Sequence, residues 1–416
     1  MIGTVHIIGA GLAGLSAAVR LAPLKRREVV VHEATAFAGG RCRSFHDAAI
    51  GMMIDNGNHL LLSGNGAALT YLREIGAEQK LIGPEHAEFP FMDLRSGERW
   101  TLRFNDGPVP FWIFDRRRRV PETGPLDYLS LARLLWTRKG ASVGEAIACE
   151  GTLYRRLVEP LILAALNIDP PQGSARLAGA IVRETLAVGG RACRPLIARE
   201  GLGPTLIEPA LAFLKQQGVA LHLEHQLRSL AFTGGRVAAL DFGSDTIALG
   251  ADDAVILAIP PYAAATLVRG LEVPNEFRAI VNAHFRIAPP DNLPTILGVL
   301  NATVQWIFSF PGRVSVTISA GDRLIDTPRE ELAKTIWDEV ARVTGLPAAL
   351  PPWQIVRERR ATFAATPAQD AKRPRAATNR RNLILAGDWT DPGLPATIEG
   401  AIRSGNRAAH IIAELP

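Results

Sequence analysis

The sequence predicts an α/β protein, with a parallel sheet in one domain and a mixed α+β second domain. Three observations carry that expectation. The chain opens strand, helix, strand, with a GxGxxG loop at the first junction. Apolar strand runs followed by helical patterns return in the middle and at the end. Its 416 residues exceed the size at which one hydrophobic core keeps growing, so two connected domains are expected.

Taken in order, residues 4–8 alternate as a strand, Leu12 to Leu21 follows with helical spacing, and Val29 to Glu33 is a second strand. This βαβ start implies a parallel sheet. Residues 85–200 read as mostly helical, with apolar stretches at Leu126 to Trp136 and Leu157 to Leu166. A helix from Thr205 to Gln217 leads into strands at 219–223, 229–232, 236–242 and 246–249. Ala254 to Ile259 is a continuous apolar run, as in a buried strand. Thr295 to Ser319 reads as antiparallel strands turning at Phe310 to Arg313. Arg329 to Thr344 reads as a helix, Asn382 to Ala386 as a strand and Thr397 to Ala413 as a final helix. The first domain is therefore discontinuous, built from residues 1–85, 201–265 and 376–416. A second domain takes the mainly helical 86–200 and the strands and helix of 266–375.

Composition narrows the class. Hydrophobic residues at 47% and charged residues at 21% suit a globular chain rather than a disordered or collagenous one. Cys42, Cys149 and Cys193 are odd in number and widely spaced, which predicts neither a disulfide framework nor a zinc site and fits a reducing, cytoplasmic setting. A strand begins within the first residues, leaving no space for a signal peptide. Ala254 to Val268 is too short to span a bilayer and carries Pro260-Pro261, and 292–312 is broken by Pro294 and Pro311. The net charge of +5 comes with no nucleic-acid motif. One dense cluster, Arg116 to Arg119, follows the apolar stretch 108–114, a combination suited to the inner face of an anionic membrane.

The chemistry-bearing motifs begin at Gly9-Ala10-Gly11-Leu12-Ala13-Gly14. Gly9 permits the tight turn, Gly11 lets a pyrophosphate approach the backbone, and Gly14 lets helix and strand pack closely. The pyrophosphate sits at the helix N-terminus, where free N–H groups and the dipole favour negative charge. Glu33 stands where a carboxylate binds ribose hydroxyls and repels a 2′-phosphate, with Ala34 beside it. Together these make a Rossmann-type site. Gly39-Gly40-Arg41 adds a glycine turn ending on a guanidinium. Near the other terminus, a strand ends in Gly387-Asp388, and Pro395-Ala396-Thr397-Ile398-Glu399-Gly400-Ala401 opens the last helix. Two contact sets far apart in sequence suit one extended dinucleotide, FAD rather than NAD.

In that order, GAGLAG, Glu33, GGRCRS (Gly39 to Ser44) and AGDW with LPATIEGA resemble the FAD-dependent amine oxidase and phytoene desaturase superfamily over essentially the whole chain. The resemblance implies a Rossmann-type FAD domain of glutathione-reductase type with a mixed α+β substrate domain. It implies ADP on residues 9–14 and Glu33, and Arg41 beside pyrophosphate and flavin. It also implies adenine against the backbone near Leu227, ribityl and pyrophosphate at Gly387-Asp388, and the flavin edge at Thr397, Ile398 and Ala401. Two further segments, Asp55-Asn56-Gly57-Asn58-His59 and Gln305-Trp306-Ile307-Phe308, resemble the hydroxysqualene dehydroxylases, many of which have Gln where this chain has Asn58.

That narrower resemblance implies reductive removal of an allylic hydroxyl from hydroxysqualene to give squalene. Asn56 and Gly57 then lie by the flavin, and Asn58 and His59 are the catalytic candidates. FAD is expected to be non-covalent, since no cysteine follows Cys193. A hydrocarbon tunnel is expected among Phe111, Trp112, Phe114, Trp306, Phe308 and Phe310. Only one GxGxxG lies between strand and helix, so electrons are expected from an external donor. Carotenoid or polyprenyl desaturation and a non-catalytic flavin-binding partner protein remain as alternatives. Amine oxidation is disfavoured, because no tyrosine follows Tyr262 and only Lys334 and Lys372 follow Lys215.

Overall fold

The computed structural model describes residues 3–415. Its five-stranded sheet is wholly parallel, in the order Ala220–His222, Glu28–His32, Thr4–Ile8, Ala254–Leu257, Leu383–Leu385. Strands from three distant parts of the chain thus build one sheet. Val5, Ile7, Val29, Val31 and Ile256 pack on one face against the helices Leu12–Leu21 and Ile398–Glu414. These helices approach so closely that a Cβ on Gly405 would lie 2.1 Å from the Ala13 carbonyl oxygen. The opposite face is covered by the antiparallel meander Ser229–Thr233, Arg236–Asp241 and Thr246–Ala248 through Val237, Leu240 and Phe242.

The second domain is centred on a seven-stranded sheet ordered Trp353–Phe363, Phe277–Phe285, Arg313–Ile318, Trp306–Phe310, Ile296–Leu300, Glu88–Asp93, Arg99–Arg103. One face packs on the helix Arg329–Thr344 through Phe285, Val316, Ile336 and Trp337. The other carries Phe91, Trp100, Trp306, Phe308 and Phe310 towards the helices of residues 151–184.

Several elements differ from the sequence-based expectation. The segment expected to be mostly helical opens on the hairpin Glu88–Asp93/Arg99–Arg103, closed by Gly97 at φ +76°. Pro90 hides this strand, since proline is excluded from central ladders. Here the parallel pairing with Ile296–Leu300 begins only at Phe91, so Pro90 lies beyond it. Two long strands, Phe277–Phe285 and Trp353–Phe363, were not apparent. The first carries the polar Asn282 and His284, which interrupt the apolar run of a buried strand, and the second is a charged edge strand, a common device against edge pairing. Among the described residues no helix is long and apolar enough to cross a membrane.

Candidate active site

Three glycines of the first loop are required for three different reasons. Gly9 has φ +106°, and a Cβ there would lie 2.4 Å from the Ala258 carbonyl oxygen. On Gly14 it would lie 1.9 Å from the Gly9 oxygen. Gly11 has ordinary extended angles, φ −74° and ψ 176°, and its Cβ would meet nothing within 4 Å. Neither a protein contact nor a positive φ requires glycine at position 11. Leu12 and Ala13 are buried in the helix that Gly11 caps.

Glu33 accepts from the Ala10 amide at 2.8 Å and from the Thr35 amide and hydroxyl at 3.0 and 2.9 Å, which ties the second strand's end to the glycine loop; Ala34 beside it is exposed. Beneath Glu33 runs a row of rings. His6 Nδ1 lies 3.2 Å from His32 Nε2, His32 Nδ1 lies 2.9 Å from His225 Nδ1, and His225 Nε2 reaches Asp245 at 2.8 Å. Leu227 is buried under the meander, so its side chain is committed to packing.

The glycine turn docks on the first loop: the Gly39 amide donates to the Ala10 carbonyl at 2.8 Å, and a Cβ on Gly40 would lie 3.5 Å from Gly11 Cα. Arg41 donates to Asp388 at 2.6 Å and to the Ala361 carbonyl at 2.7 Å. The two motifs, 347 residues apart, are thus one ion pair. Asp388 follows Gly387, whose amide donates to Ser404 Oγ at 2.9 Å. Arg373, missed from sequence, holds this loop by donating to the carbonyls of Thr390, Asp388 and Leu394 at 2.7, 3.0 and 2.7 Å. Thr397 caps the last helix by accepting from the Gly400 amide at 3.0 Å, with Ile398 buried and Ala401 half-buried. Glu399, named from sequence only as part of the helix-opening motif, accepts from the Ala67 and Ala68 amides and joins this helix to Gly66–Glu74.

Asn56 clamps the Arg41 turn, donating to the Arg41 carbonyl at 2.7 Å and accepting from the Arg43 amide at 3.1 Å. Gly57 lies against the His59 ring, 3.3 Å from Nε2 to an added Cβ. Burial, and after it the charge of Arg41, pushes the His59 imidazole down to about 4, so it is neutral at physiological pH. Asn58 is held from the other domain by Asn282 and Thr317. A strand with polar residues two apart, Asn282 and His284, is the signal that could have revealed this side of the site.

The family model for flavin containing amine oxidoreductases matches residues 12–413. The chain belongs to this family. Within it, the chain is 60% identical over 410 residues to the hydroxysqualene dehydroxylase of Rhodopseudomonas palustris, covering 98% of both chains. It is 23% identical to the zeta-carotene desaturase of a Synechocystis species, covering 98% of this chain and 96% of that one. In fold it is similar to cyclohexylamine oxidase from Brevibacterium oxydans, with a TM-score of 0.70 at 17% identity, covering 100% and 99%. The identity to the first relative assigns the chain to the hydroxysqualene dehydroxylase branch of the flavin-containing amine oxidoreductases.

The cofactor of this flavin-containing family is FAD, and the residues fit it. Gly11 leaves a cradle that a Cβ would fill, and Glu33 and the Arg41–Asp388 pair flank that cradle's loop. Cys42, adjacent to Arg41, is buried and its thiol is pushed far up by burial and then by Asp55, so it is no nucleophile. Among the described residues no group of His, Cys, Asp and Glu side chains is arranged to hold a metal ion.

Proposed function

We propose that this flavoenzyme removes the hydroxyl of hydroxysqualene reductively and produces squalene. The full-length match to a hydroxysqualene dehydroxylase carries this reading, and the distant desaturase similarity ranks polyprenyl desaturation well behind it. In balance, the allylic C–O bond breaks, a hydride forms the new C–H bond, and the departing hydroxide takes up a proton and leaves as water. Reduced FAD, when bound, would supply the hydride and, in the overall balance, the matching proton.

The chain's own residues bind and orient. Residues 9–14, Glu33, Arg41, Asp388 and Thr397 hold the cofactor; Leu227 contributes main chain and Asn56 and Gly57 shape the neighbouring turn. Asn58 and His59 address the hydroxyl. Because His59 is neutral, it serves as an N–H donor to the leaving oxygen rather than as a stored proton. The sheet rows of Phe91, Trp100, Trp306, Phe308 and Phe310 offer the hydrocarbon an apolar lining. Phe111 and Phe114, expected in that lining, are each 67% exposed and face outward, while Trp112 between them is buried.

Those outward residues suggest where a bilayer-dissolved substrate enters. Trp112 packs edge-on against Tyr128 with ring centroids 5.0 Å apart, so the short helices Phe111–Phe114 and Pro125–Tyr128 lie side by side. Their inward residues leave Phe111, Phe114, Leu126 and Leu129 exposed, with Trp136 following at 80% exposure. Arg116 and Arg117 are exposed beside them, whereas Arg118 and Arg119 are tied to backbone carbonyls. This is a peripheral contact for the cytoplasmic face of an anionic membrane. A single nucleotide loop implies an external electron donor.

The test is anaerobic. Reduced protein is incubated with hydroxysqualene, oxidised protein with phytoene, and the extracts are analysed for products. Squalene from the first reaction is expected; a desaturated product from the second alone would replace this reading with desaturation.

A further inference from the structure

Asn282 faces Thr317 and His284 faces Ser315 where Phe277–Phe285 pairs with Arg313–Ile318. Side chains alternate along a strand, so these four share one face, while Val281, Ala283, Phe285, Val314 and Val316 pack on the other. A polar strip thus lies within a buried sheet, and what it meets is the Asn56–Asn58 turn of the FAD domain. Asn282 Nδ2 donates to the Asn56 carbonyl at 3.3 Å, and Asn282 Oδ1 accepts from the Asn58 amide at 3.3 Å and from Thr317 Oγ1 at 2.7 Å. Asn58 Nδ2 donates to Thr317 Oγ1 at 3.1 Å and to the Val316 carbonyl at 3.2 Å.

These directions fix the Asn58 amide. Thr317 uses its one hydrogen on Asn282, so towards Asn58 it can only accept, and so can the Val316 carbonyl. Both Asn58 hydrogens are committed, and its Oδ1 cannot change places with Nδ2. That oxygen is buried with no donor among the described residues. Buried polar atoms are rarely left unpaired, so an orphaned acceptor within a fully directed network points to a donor carried by a ligand. Thr317 also faces Trp306 across the next strand pair, where the polar strip meets the aromatic rows. A mainly hydrocarbon ligand lying on those rows brings its single polar group to this boundary.

We propose that Asn282 and Thr317 are positioning residues that hold Asn58 Oδ1 as the acceptor for the hydroxyl hydrogen of the allylic alcohol. This inference rests on the hydroxysqualene reading. Asn58 then selects an alcohol over a plain hydrocarbon and sets the direction of its C–O bond, while Asn282 and Thr317 act only through it. The chemistry needed is one O–H or N–H donor. The aromatic border favours the alcohol, and an N–H of the reduced cofactor is the competing source.

Thr317→Val removes the hydroxyl at constant shape, and Thr317→Ser restores it. We compare single-turnover rate and KM with hydroxysqualene, Kd for squalene, FAD content, flavin midpoint potential and Tm. For Thr317→Val the expected result is a fall of about tenfold in kcat/KM, the scale of one hydrogen bond. Squalene affinity, FAD content and potential should stay unchanged, and Thr317→Ser should recover most of the loss. Wild-type kcat/KM in Thr317→Val overturns the proposal, as does equal weakening of alcohol and squalene. A shifted flavin potential without discrimination between alcohol and hydrocarbon assigns the acceptor to the cofactor instead. Should Thr317→Val fail to fold, Thr317→Ala serves the same comparison. Failure of the wild-type protein to convert hydroxysqualene refutes the functional reading, a separate result.

Discussion

Gly11→Ala separates the demands of the ligand from those of the fold. At φ −74° and ψ 176° the backbone accepts alanine without strain, and the new methyl meets no protein atom within 4 Å. In the apoprotein two small effects oppose each other. Alanine reduces the entropy of the unfolded chain by about 0.4–1 kcal/mol, and it is a poorer N-cap than glycine by a similar amount, roughly 0.5–1 kcal/mol. Apoprotein stability should therefore stay within about 1 kcal/mol of wild type. With FAD the methyl competes with the pyrophosphate for the same space. Overpacking costs about 1–3 kcal/mol, which at 1.4 kcal/mol per decade weakens binding roughly 5- to 150-fold. Gly14→Ala is the contrast: its methyl would lie 1.9 Å from the Gly9 oxygen, so the apoprotein itself should be destabilised. Thermal unfolding of stripped protein and quenching of flavin fluorescence on titration measure both quantities. Wild-type FAD affinity in Gly11→Ala would refute the assignment of the loop, and so would apoprotein destabilisation as large as that of Gly14→Ala.

Glu33→Ala should weaken FAD binding by about 1.5–3 kcal/mol, the scale of a charge-assisted hydrogen bond, measured in the same titration. His59→Ala should retain FAD and lose roughly 10²–10³-fold in single-turnover reduction, the scale of one hydrogen-bond donor to a developing oxyanion. With His59 pushed down to about 4, the imidazole does not titrate in the physiological range, so a break near its ordinary pKa that His59→Ala abolishes would contradict its neutrality. Burial, and after it His6, His225 and His222, pushes His32 down to about 3. The unfolded chain takes up a proton near pH 6.5 that the native ring refuses, so this stability is complete above about 6.5 and declines as pH falls towards 3. Urea midpoints against pH should show that slope, and His32→Phe should make it shallower, His59 and His284, pushed down by burial, supplying the rest; an unchanged slope excludes His32 as a source. Liposomes with anionic lipid should sediment the protein, and Arg116→Glu with Arg117→Glu should release it; equal sedimentation with neutral lipid removes the electrostatic part of the membrane proposal.

The cofactor half of the molecule was legible because its constraints are local. Gly9, Gly11, Gly14 and Glu33 are tied to one strand–turn–helix–strand unit, and hydropathy placed strands at 4–8 and 254–259 and helices at 12–21, 329–344 and 397–413, within two residues of those observed. The sequence also marked Gly39 to Arg41 and Gly387-Asp388 as two contact sets on one extended dinucleotide, whereas their joining by the Arg41–Asp388 ion pair is tertiary. The substrate half was less legible. Pro90 masked a strand, and Asn282 and His284 masked another, because polar residues there face a loop from a different domain rather than solvent. The aromatic residues of 111–114 show the same limit. Composition put them together, but only the packing of Trp112 on Tyr128 decided which ring turns inward and which two face out. Sequence determines what the backbone can do within a few residues, and so it determined the nucleotide fold and its cofactor class. Which buried polar group meets which partner depends on register between strands hundreds of residues apart, and that the tertiary structure alone decided.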